Sequence, residues 1–149
     1  MKKFLLVLCS AVIVLTLGAQ KGKKITILHT NDLHSRLAGY APELSYTPLT
    51  INDDRTVAGF ARMASIIKKE KEAEGGTLLT VDAGDFLMGT LFQALEPFNG
   101  FQLRLMKSMG YDVVAVGNHE FDFGPGKLAE IINASAGNGA IPPVLLSNA

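Results

Sequence analysis

Asp32 with His34, Asp85, and Asn118 with His119 and Asp122 are the residues of this sequence whose types and spacing could do chemistry. One carboxylate and one imidazole two positions apart are a common start for holding a divalent transition ion. Both side chains face one crevice if the chain stays extended past residue 30. Asp85 follows Gly84, which lets the backbone turn sharply and aim the carboxylate inward. With two oxygens, that carboxylate could bridge two ions roughly 3.5–4 Å apart. Asn118 offers a neutral amide oxygen. His119 and Asp122 are three apart, so across one turn the carboxylate can orient the imidazole and favour its charged form. Taken singly, each signal has a plain structural alternative: Asp32 as a turn cap, Gly84-Asp85 as an ordinary turn, Asp82 as a hydrogen-bonding residue. Asp85 is preferred to Asp82 as the ligand. Glu120 is expected to be solvated or structural, and His29 a packed histidine rather than a ligand.

Elements that would position these residues can be read from short apolar runs. Ile25–Leu28, Thr77–Val81, Val113–Val116 and Val144–Leu146 are β-branched, bounded by turn residues, and expected as buried strands. Between them lie helical patterns. Phe60, Met63 and Ile67 share one face; Phe98, Phe101, Leu105 and Met109 form another, with Gly110 as the stop; Leu128, Ile131 and Ile132 follow Pro125. These stripes are expected to pack in the core. Alternating strands and helices predict an α/β layer fold with at least partly parallel pairing. Residues 38–57 lack a period and read as a long loop. Each of the first three strands is followed by candidate ligands, and ligands of α/β sheets sit outside the carboxyl ends of the strands. The three exits are therefore expected to converge.

Composition narrows the classes. The chain has 149 residues, enough for one core, and 48% are hydrophobic. That share is raised by Phe4 to Leu17, an almost unbroken apolar run behind Lys2 and Lys3, followed by Gly18 and Ala19. This layout predicts a signal peptide over residues 1–19, cleaved after Ala19, and hence an exported protein, periplasmic, cell-surface or secreted. As a helix the run would span about 21 Å, short of a ~30 Å bilayer core, so no stable membrane insertion is expected. The single cysteine, Cys9, lies inside that run, so the mature chain has no disulfide and no thiolate chemistry. Without Lys2 and Lys3, 12 basic residues face 14 acidic ones, which is no footprint for nucleic acid.

In sequence order, ILHTNDLHSRL (Ile27 to Leu37), DAGDFLMGT (Asp82 to Thr90) and GNHEFDFG (Gly117 to Gly124) resemble the first three motifs of calcineurin-like metallophosphoesterases. Within them the chain is most similar to the secreted 5′-nucleotidase and UDP-sugar hydrolase branch, a likeness that runs through GYDVVAVGNHEFDFG and the final LLSNA. The resemblance implies two facing mixed sheets flanked by helices and two divalent ions (Zn, Mn, Co or Mg). It implies that Asp32 and His34 bind the first ion, Asp85 bridges both, Asn118 binds the second, and His119 with Asp122 is the catalytic pair. Met88 stands where relatives often carry a polar residue. The family's later Gly-His motifs and its C-terminal substrate domain have no counterpart among histidines 29, 34 and 119. Residues 20–149 are therefore expected to be the first half of a catalytic domain, inactive or nearly so by itself.

The implied activity is metal-dependent hydrolysis of a phosphate ester, with a nucleoside monophosphate as substrate. A cyclic nucleotide, a UDP-sugar or a thiosulfate-type sulfur substrate are alternatives within the family. A non-catalytic remnant is the alternative from another class.

Overall fold

The computed structural model describes residues 22–39 and 57–146. The signal-peptide reading of residues 1–19, most of the 38–57 loop and the end of the chain lie outside them. Four strands, β1 (Thr26–Thr30), β2 (Leu78–Asp82), β3 (Val113–Ala115) and β4 (Val144–Leu145), form one sheet in the order β1-β2-β3-β4. All three pairings are parallel. Parallel neighbours need crossovers. These are α1 (Phe60–Glu74) between β1 and β2, α2 (Glu96–Asn99) and α3 (Phe101–Met109) between β2 and β3, and α4 (Pro125–Asn138) between β3 and β4. The expected α/β layer fold is present, with one all-parallel sheet among the described residues rather than a mixed one.

Helix α1 packs on α3, and α4 packs on α2 and α3. Phe86, Leu103, Met106 and Val114 are fully buried in the core between helices and sheet. Alternation along the strands separates two faces. Leu78, Thr80, Asp82 and Val114 are buried, whereas Ile27 is 58% exposed and Leu79 and Leu145 are also exposed. The strands are thus buried on one face, not on both as their unbroken apolar runs suggest. His29 lies on the open face and is exposed, which corrects the expectation of a packed histidine. Among the described residues, no helix is long and apolar enough to cross a membrane.

Another difference concerns the second helical stripe. Gly100, at φ 56°, ends α2 and starts α3, so Phe98 and Phe101 do not share a continuous helix. Phe98 is 84% exposed, and the buried face of α3 is Gln102, Leu103, Met106 and Met109. Ser135 of α4 explains the break, since its Oγ donates to the Gly100 carbonyl at 2.6 Å and its backbone leaves no room for a Cβ there. The first and third stripes hold: Phe60 and Ile67 of α1, and Leu128 and Ile131 of α4, are buried.

Candidate metal centre at the strand exits

Strand β1 ends two residues later than its apolar run, because Thr30 pairs with Asp82 in register and donates its hydroxyl to Asp82 Oδ2 at 2.6 Å. The same hydroxyl meets the Tyr111 hydroxyl at 2.8 Å. Asp82 also accepts from Gly84 N at 3.0 Å and is 2% exposed, so it is the structural residue at this exit. Burial pushes its carboxyl up to about 6, against the lowering effect of these hydrogen bonds.

Beyond the strands, the first two exits remain paired. Asp32 N donates to Gly84 O at 3.0 Å, His34 N to Asp85 O at 3.0 Å and Ser35 N to Phe86 O at 2.9 Å. The chain does not stay extended here. Asp32, His34, Ser35 and Asp85 have φ of 54°, 48°, 51° and 57°, a left-handed conformation that costs non-glycine residues energy and is held by surrounding structure. Coiling, rather than extension, turns Asp32 and His34 together, with His34 Nε2 3.5 Å from Asp32 Oδ1. Gln102 supports this turn from below by donating Nε2 to Ser35 Oγ at 2.9 Å.

The third exit docks against the second by backbone contact. A Cβ on Gly84 would overlap the Gly117 backbone, and one on Gly117 would overlap the Asp85 side chain. Asp85 Oδ1 accepts from His119 N at 2.9 Å. Residues His119–Phe121 form a 3₁₀ turn, which brings Asp122 Oδ2 within 2.8 Å of His119 Nδ1. Because His119 donates Nδ1–H to Asp122, its imidazole is held above the usual histidine range and Nε2 is left for the crevice. The rings of His34 and His119 meet edge to face, centroids 5.0 Å apart.

Ligand atoms of His34, Asp85 and His119 all lie within 4.8 Å of one another. Asn118 stands beside them. Oriented so that both ends are satisfied, its amide donates an N–H to Asp85 Oδ2 at 3.2 Å and accepts from the His119 N–H at 3.3 Å. Carboxylate, imidazole and amide oxygen together make a donor set suited to a divalent transition ion. The residues present fit such an ion.

The six candidate residues therefore lie at the carboxyl edge of the sheet, where His34, Asp85 and His119 form the ligand-atom cluster and Asp32 stands outside it, beside His34. Glu120 takes the structural of its two expected roles: it is 3% exposed and accepts backbone N–H bonds from Asp85, Leu87 and Gly117, a set of partners the sequence did not show. The one signal for it was its place in a short turn three residues after Gly117, close enough to reach that N–H. Nothing in the spacing pointed to Gln102 or Tyr111.

Residues 25–144 match the calcineurin-like phosphoesterase family. The chain is 41% identical over 102 residues to the 5′-nucleotidase of Bos taurus, covering 68% of this chain and 17% of that one. It is 38% identical over 108 residues to the human 5′-nucleotidase, covering 72% and 18%. Among solved structures, the 5′-nucleotidase precursor of Thermus thermophilus aligns with a TM-score of 0.62 at 30% identity, over 83% of this chain and 22% of that one. The NAD nucleotidase of Haemophilus influenzae aligns with a TM-score of 0.64 at 26% identity, over 83% and 20%. The chain thus spans about a fifth of the length of these relatives. With the family match spanning most of its length, the chain belongs to the calcineurin-like phosphoesterase family.

Proposed function

We propose that this chain forms one wall of a two-ion centre that hydrolyses a phosphate ester, with a nucleoside monophosphate as the substrate of the whole protein. The observation that carries this reading is the convergence of His34, Asp85 and His119 within 4.8 Å at the strand exits. Asp32 and His34 would hold one ion, Asn118 the other, and Asp85 both. When bound, the ions would supply Lewis-acid charge that polarises phosphoryl oxygens and lowers the pKa of water.

His119 has a different part. An imidazole raised by Asp122 favours the imidazolium, which has no lone pair for a metal and two N–H donors. Its Nε2–H would stabilise charge growing on the phosphoryl or leaving oxygen and supply the proton the leaving group needs. Asp122 orients the ring and favours that charged state. The bovine and human relatives named 5′-nucleotidases support the choice of substrate, and a snake venom 5′-nucleotidase, 38% identical, supports export. The open apolar face at Ile27, Leu79 and Leu145 fits the second sheet, with its further ligands, that the fold would set against it. Further ligands and a substrate-binding domain beyond residue 149 are part of this reading.

Phosphate release from a nucleoside monophosphate with Mn²⁺, Co²⁺ or Zn²⁺ tests it, in this chain and in any longer form that its gene encodes. Metal-dependent turnover in the longer form, removed by chelation and by His119→Ala, is expected. Turnover that survives both treatments would contradict the reading.

A further inference from the structure

Glu120 lies between the proposed catalytic pair in sequence, yet its carboxylate is 3% exposed and held by backbone N–H groups. Oε2 accepts from Asp85 N at 2.9 Å and from Gly117 N at 2.7 Å, and Oε1 accepts from Leu87 N at 2.9 Å. These three donors belong to two separate loops, one after β2 and one after β3. Asp85 returns the connection by accepting from the His119 N–H at 2.9 Å. Each carboxylate therefore holds the backbone next to the other.

We propose that Glu120 is a positioning residue for the metal centre: it locks the loop carrying Asp85 to the loop carrying Asn118 and His119 so that their ligand atoms converge. This rests on the metal reading above. Asp85 sits at φ 57°, a conformation an aspartate adopts only when its surroundings enforce it, and the Glu120 bond to its N–H is part of that enforcement. The chemistry demands an acceptor at both oxygens. Glutamine would keep one acceptor and turn an amide donor toward at least one backbone N–H. Aspartate is one methylene too short to hold all three donors. Partners that orient metal ligands typically change affinity by roughly 10–100-fold when removed.

The experiment is a Co²⁺ titration of the whole chain followed by visible absorbance, with circular dichroism and a denaturant midpoint for each variant. Asp112→Asn, at the opposite end of β3, controls for general loss of stability. Wild type and Asp112→Asn are expected to bind alike, and Glu120→Gln to bind roughly 10–100-fold more weakly with an altered absorption band. Equal affinity in Glu120→Gln, or equal weakening in Asp112→Asn, overturns the proposal while leaving the metal reading standing. A wild-type chain that takes up no Co²⁺ removes both. Should Glu120→Gln not fold, amide exchange in the wild type decides. Protection at Asp85, Leu87 and Gly117 supports the lock, and exchange at the rate of open loop amides overturns it.

Discussion

At the amino-terminal edge of the sheet, Asp112 accepts from Thr80 N at 2.8 Å and from Lys71 Nζ at 3.0 Å, and Glu74 accepts from Lys24 Nζ at 2.7 Å. Burial pushes Asp112 up, but the Thr80 and Lys71 bonds outweigh it; Lys24, then Thr26, hold Glu74 low, so both carboxyls lie below their ordinary range. At the carboxyl edge, the acids are held by backbone N–H groups, hydroxyls and an imidazole instead. There burial pushes Asp82 up to about 6. Four left-handed non-glycine residues, Asp32, His34, Ser35 and Asp85, crowd this same edge. One edge pairs each acid with an ammonium; the other concentrates acids and strain around a crevice. Among the described residues, Asp112 and Glu74 at the first edge each have an ammonium partner. Asp82, Asp85 and Asp122 at the second are met by hydroxyl, backbone N–H and imidazole donors, the setting that the proposed cation site would use.

Substitutions that break the contrast should have graded effects. Asp85→Asn is expected to cost the most, lowering metal affinity by more than ~100-fold, beyond what loss of an orienting partner usually costs and beyond Asn118→Ala. Elemental analysis after dialysis checks it, and undiminished metal content would show that Asp85 bridges nothing. Asp122→Asn should lower turnover of the whole enzyme on the order of 10²-fold. It should also move His119 titration downward in proton NMR of the metal-free chain, because the bond that raises it is lost.

A third outcome concerns Glu96, buried behind the first loop and pushed up to about 7 by burial, with Gln102 N donating to it. Its folded pKa lies above the ordinary 4.5, so the folded chain binds the extra proton. Stability should therefore fall as pH rises from about 4.5 to 7, by on the order of 2–3 kcal/mol from this group. Denaturant midpoints should fall less steeply across that range in Glu96→Gln, with the remaining fall coming from buried Asp82. Asp112→Asn should do least, about 1 kcal/mol or less, since its partly exposed ion pair is screened. Here the sign reverses. Asp112 is lowered, so its contribution is present above the ordinary carboxyl pKa and is lost as pH falls through the folded value. Metal uptake should be untouched.

The sequence made the order of elements and the meeting of the three strand exits legible, because short apolar runs and polar exits are local features. Gly84 before Asp85, and His119 three before Asp122, carried their geometry in their spacing. What stayed hidden depends on contacts across the fold. The open face of the sheet could not be read from Ile25, Ile27 and Leu79, since an apolar run looks the same with one face covered or two. Phe98 matched a helical period that Ser135, 37 positions away, interrupts at Gly100. Glu120 read as either solvated or structural, and its sequence could not decide between them because its donors come from loops that meet only after folding.

Anomalous scattering from crystals of the chain soaked in Mn²⁺ would show whether a cation sits where the strand exits meet. Peaks are expected at the carboxyl edge of the sheet, in contact with Asp85 and with His34 or Asn118. No peak there at saturating Mn²⁺, or peaks only beside Asp112 and Glu74 at the opposite edge, would contradict the account.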